Sequence, residues 1–67
     1  MKEYVISKEL DGMTYYFTRI EENQAGMRVT YVWTAHAEDA KVFYKKKDAE
    51  KFIREYEIPG EIRIETY

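Results

Sequence analysis

The chain has 67 residues, of which 45% are hydrophobic and 16% aromatic, with one proline, three glycines and no cysteine. That composition excludes a disordered tail or a disulfide-stapled mini-protein, and the length leaves room for one domain, residues 1–67, which buries only about 60% of its unfolded surface. Thirteen acidic against eleven basic residues give a net charge of −2, which removes the overall attraction that non-specific nucleic-acid binding relies on.

The first residues, Met-Lys-Glu-Tyr-Val-Ile-Ser-Lys, hold too short an apolar run for a signal peptide, and no segment approaches the roughly 18 apolar residues that span a bilayer. A cytoplasmic protein is the expectation.

Residues 3–7 read as a strand, and Asp11-Gly12 supplies the positive φ angles of a tight hairpin turn. Residues 13–20, Met-Thr-Tyr-Tyr-Phe-Thr-Arg-Ile, are aromatic and β-branched and form the partner strand. Alternation assigns Met13, Tyr15 and Phe17 to one face and Thr14, Tyr16 and Thr18 to the other. Residues 21–26 are a polar turn ending in glycine, and residues 27–34 alternate Met27, Val29, Tyr31 and Trp33 against Arg28, Thr30, Val32 and Thr34, a third strand.

Residues 35–40 have a helix-turn-like pattern, and Val42-Phe43-Tyr44 is briefly extended. From Asp48 the period changes. Ala49, Phe52, Ile53 and Tyr56 fall at i, i+3, i+4 and i+7, one stripe of an amphipathic helix, with Lys51, Arg54 and Glu55 opposite. Asp48 is the expected N-cap, and Pro59-Gly60 the stop. Ile62 and Ile64 alternate with Arg63 and Glu65 in a final strand.

The expected fold is α+β, a four-stranded antiparallel sheet in the order β-β-β-α-β with one helix on one face. The candidate core is Tyr4 or Val5, Ile6, Tyr15, Phe17, Val29, Tyr31, Trp33, Phe43, Phe52, Ile53, Ile62 and Ile64. One short helix cannot cover both faces of four strands, so the second face is expected to stay largely in solvent.

Catalytic chemistry finds no support in the residues. His36 is the lone histidine and Ser7 the lone serine, which offers neither a zinc ligand set nor a nucleophile with its base. The glycines are isolated turn residues rather than a phosphate loop, so no metal, no cofactor and no enzymatic activity are expected. Seven tyrosines cannot all be interior, because each buried phenol needs a partner. Tyr16, Val32 and Tyr67 are therefore the candidate partner-binding residues on the open face, with cross-strand stabilisation as the plain alternative. Self-association into a homodimer, through that face or an edge strand, is a further outcome.

A second candidate patch is Tyr44, Lys45, Lys46, Lys47, Lys51 and Arg54, a basic cluster with a stacking surface that suits nucleic-acid phosphates. Asp48, Glu50 and Glu55 interrupt it, as in a solvated helix face.

Residues 32–34 (Val-Trp-Thr), 40–43 (Ala-Lys-Val-Phe) and 46–53 (Lys-Lys-Asp-Ala-Glu-Lys-Phe-Ile) together resemble small proteins of bacteriophages and prophages of Gram-positive bacteria. These carry a Tyr-Val-Ile strand and an aromatic hairpin before a Trp-Thr, an Ala-Lys-Val-Phe and a Lys-Asp-Ala-Glu-Lys helix start. The resemblance covers most of the chain through core and capping residues, and so bears on fold first. It implies a stoichiometric binder of a host protein, such as a defence protein or host enzyme.

Overall fold

The computed structural model describes residues 2–22 and 28–67. Its elements are β1 (Tyr4–Leu10), β2 (Met13–Glu22), β3 (Val29–Thr34), a single 3-10 turn at Ala37–Asp39, α1 (Lys46–Tyr56) and β4 (Ile62–Thr66). The strands form one antiparallel sheet in the order β3-β2-β1-β4, with α1 on one face. The turn and strand start expected at residues 23–27 lie outside the described residues.

Asp11 and Gly12 join β1 to β2 with φ of 52° and 79°, the two positive angles of a type I′ turn, whose twist matches that of the strands it connects. This hairpin runs longer than the sequence indicates, because β1 continues to Leu10, which pairs with Met13.

β2 then divides its loyalty. It pairs with β1 from Met13 to Tyr16 and with β3 from Tyr16 onward, and its register slips between Phe17 and Arg19. The slip is a β-bulge, which bends a strand and reverses the alternation beyond it. Ile20 consequently joins Phe17 on the helix face and packs against the core, against the simple even-odd reading. The Thr18 hydroxyl donates to the Val32 carbonyl at 2.7 Å across the irregularity.

Where β2 leaves β1, the chain after the 3-10 turn fills the opening. The Lys41 amide donates to the Phe17 carbonyl at 2.9 Å, while Tyr4 and Phe43 exchange two backbone bonds at 2.7 and 2.8 Å. Phe43 is thereby delivered into the core.

The core proper is Ile6, Phe17, Phe43, Ala49 and Ile58, with Tyr4, Ile20, Tyr31, Trp33, Phe52, Ile53, Ile62 and Ile64 packed around it. Phe52 is the hub. Its ring lies 5.5 Å from Phe17, 5.4 Å from Phe43 and 4.5 Å from Tyr56, in tilted or edge-on geometries that suit the ring quadrupoles. Trp33 stands edge-on to Phe17 at 5.6 Å, and the Lys8 ammonium sits 4.2 Å from its ring centre, a cation–π contact.

Three expectations are corrected. Val29 is 47% exposed rather than interior, because it pairs with Glu22 at the far end of β3, beyond the core cluster. The helix starts one turn earlier than Asp48 would place it: Lys45 is the N-cap, without a side-chain bond. Asp48 already donates its amide to the Lys45 carbonyl at 3.1 Å, so its carboxylate contributes only through the helix dipole. The helix also ends before Pro59. Glu57 takes a left-handed conformation (φ 49°, ψ 48°), and the Ile58 amide reaches the Ile53 carbonyl at 3.2 Å, a Schellman-type cap. Folding Ile58 into the core offsets the strain of a non-glycine residue there.

The second face is also less open than one helix implies. Tyr4 and Ile6 point to α1, so Val5 and Ser7 point away, yet both are buried, Ser7 at 0% exposure. The crossing from β3 to Phe43 passes against β2 through its 3-10 turn, and Tyr16, which pairs with Ser7, shares their face.

Candidate functional site

Strand alternation and register bring Tyr16, Val32 and Tyr67 to the same face, the one opposite α1. Tyr16 faces Thr34 on β3 and Ser7 on β1, and Val32 lies diagonally beside it; both are half-buried. Tyr67 is 54% exposed and continues the β1–β4 ladder by donating its amide to the Glu3 carbonyl at 2.8 Å. Strand spacings set it about 16 Å from Tyr16, with buried Val5 and Ser7 between. The face is thus one pair of neighbours and one distant tyrosine, rather than a continuous aromatic patch.

A different apolar surface stands out. Leu10 and Met13, paired directly across the hairpin, are 55% and 53% exposed, and the Tyr15 hydroxyl reaches the Met13 sulfur at 3.8 Å. They share the face of Ile6 and Phe17, but the hairpin extends past α1, and among the described residues only the Pro59–Glu61 loop beside Leu10 and the Tyr15 side chain border its tip. Sequence reasoning put Met13 on the correct face and missed its exposure, because alternation assigns a face but not how far the covering helix reaches. The one available signal was length: the hairpin outruns an eleven-residue helix.

In the basic cluster, Lys45, Lys46 and Lys47 occupy the N-cap and first turn of α1, and Tyr44 is exposed immediately before them. Lys47, Lys51 and Arg54 follow at helical spacing on one side and line a shallow depression together with Asp48 and Glu50. Lys51 pairs with Glu55 at 3.8 Å. Lys41 lines a neighbouring depression with Asp48 and Lys51, its ammonium 5.4 Å from the rings of Phe43 and Phe52.

His36 is exposed, 3.9 Å from Glu38, and among the described residues no three His, Cys, Asp or Glu side chains gather as a metal site. Ser7 is sealed from any substrate, and its hydroxyl finds no hydrogen-bond partner among the described residues. The Arg63 guanidinium donates to Glu9 at 2.7 Å, and that bond, then the charge of Glu9, raises its pKa above the usual arginine range. No helix among the described residues is long and apolar enough to cross a membrane.

Neither a protein-family model, a curated protein nor a solved structure matches the chain.

Proposed function

We propose that the protein is a non-enzymatic binding module that occupies a surface of a host protein, in keeping with the phage-type resemblance and its implied inhibition of a host defence protein or enzyme. The observation that carries this reading is the hairpin tip: Leu10 and Met13 present adjoining apolar side chains that folding leaves uncovered. Apolar surface held out on a rigid hairpin is suited to burial against a partner. Tyr16, on the opposite face of the same hairpin, with Val32 and the more distant Tyr67, forms the second contact region.

Affinity capture from a Gram-positive lysate, followed by calorimetric titration of the purified partner, tests it. The parent chain binds with one-site stoichiometry. Leu10→Ser/Met13→Ser weakens binding at least tenfold with an unchanged circular dichroism spectrum, and Tyr16→Ser/Tyr67→Ser weakens it less. A partner bound equally by all three chains contradicts both surfaces.

A second reading has its own observation, the exposed Tyr44 ring beside the lysines that open α1. Nucleic-acid or nucleotide binding through Tyr44, Lys45, Lys46, Lys47, Lys51 and Arg54 predicts oligonucleotide affinity that falls linearly with the logarithm of salt concentration. Absence of binding at low salt removes it.

A further inference from the structure

β4 closes one end of the sheet, with β1 on one side and no described strand on the other. The ladder reveals which of its backbone groups face outward. In an antiparallel pair, residues that exchange bonds with the neighbour alternate with residues whose N–H and C=O point away. Tyr67 bonds to Glu3, so, in the register Val5 to Glu65 and Ser7 to Arg63, Glu65 and Arg63 also face β1. Tyr4 confirms the alternation: it lies opposite Thr66, yet its own amide and carbonyl bond to Phe43 on the far side. Ile62, Ile64 and Thr66 therefore direct their backbone groups to the open edge, a template for another strand.

The side chains determine which strand fits. Consider a second copy pairing antiparallel about a two-fold axis, where outward-facing residues must meet outward-facing residues. Setting Ile62 on Ile64 puts Arg63 against Arg63, and setting Ile64 on Thr66 puts Glu65 against Glu65; like charges directly opposite are destabilising. Setting Ile64 on Ile64 places Arg63 opposite Glu65 twice, brings Ile62 onto Thr66 and engages all five residues of the strand. The charge pattern is self-complementary in this register, as an isologous contact requires. Arg63 has donors to spare beyond its bond to Glu9.

We propose that β4 pairs with β4 of a second copy, Ile64 on Ile64 across a two-fold axis, joining two sheets into one. This goes beyond the host-binding reading and needs no third molecule, so either can fail without the other.

Sedimentation velocity over a range of concentrations tests it, with circular dichroism to establish that each variant folds. The parent chain sediments as a dimer. Arg63→Glu and Glu65→Arg, each alone, set like charges opposite one another and raise the dimer dissociation constant at least tenfold. Mixed in equal amounts, the two variants recover a dimer, since two acidic positions then face two basic ones, and the double variant Arg63→Glu/Glu65→Arg dimerises by itself. A parent chain that stays monomeric at every concentration, single variants as dimeric as the parent, or a mixture that remains monomeric would each overturn the proposal.

Discussion

The two faces of the sheet bury comparable residues by different means. On the helix face, Ile6 and Phe17 are sealed by an interlocked set of rings and aliphatic side chains centred on Phe52. On the opposite face, Val5 and Ser7 are just as inaccessible, beside the half-buried Tyr16 that pairs with Ser7, and the Ser7 hydroxyl finds no hydrogen-bond partner among the described residues. Burial alone therefore does not measure what a face contributes. The stabilising term is apolar contact of good shape, and an unpartnered polar group subtracts from it.

Substitutions can break or sharpen that contrast, and the largest effect belongs to the helix face. Phe52→Ala removes the ring that touches Phe17, Phe43 and Tyr56, and is expected to cost about 3–5 kcal/mol, comparable with the whole stability of so small a domain. Chemical denaturation shows it as a largely unfolded chain; a cooperative transition near the parent midpoint would remove Phe52 from the centre of the core.

Next comes the bond that ties β3 to the end of α1. The Tyr31 hydroxyl donates to the Tyr56 carbonyl at 2.7 Å, satisfying a helix-terminal acceptor. Tyr31→Phe is expected to lower stability by about 1 kcal/mol with the fold retained, measured as a shift in the urea midpoint at unchanged slope.

The opposite face reverses the sign. Ser7→Ala deletes a buried hydroxyl without opening a large cavity, and an increase of about 0.5–1 kcal/mol is expected. A loss in the same urea experiment would mean that the hydroxyl is partnered and that this face is held by polar bonding after all.

Much of this division was legible in the residues. Asp11-Gly12 announced the hairpin, the spacing of Ala49, Phe52 and Ile53 set the inward stripe of α1, and alternation placed Ile62 and Ile64 correctly. What escaped were features decided by tertiary geometry. The bulge at Phe17–Arg19 reverses alternation and is specified by how β2 is shared between two neighbours, which no local pattern encodes. Glu57 and Ile58 form a helix cap whose usual signature is a glycine that is not there. Of the candidate site, the shared face of Tyr16, Val32 and Tyr67 follows from alternation, while their separation depends on strand register and the exposure of Leu10 and Met13 on the reach of α1.

The smallest expected effect tests the central claim, that the helix-face rings hold the fold while the hairpin tip is surplus to it. Urea unfolding of Leu10→Ser/Met13→Ser, set beside the parent chain, measures this directly. The account predicts a stability within about 0.5 kcal/mol of the parent, as for surface positions away from packed features. A loss of several kcal/mol would contradict it and make Leu10 and Met13 part of the core.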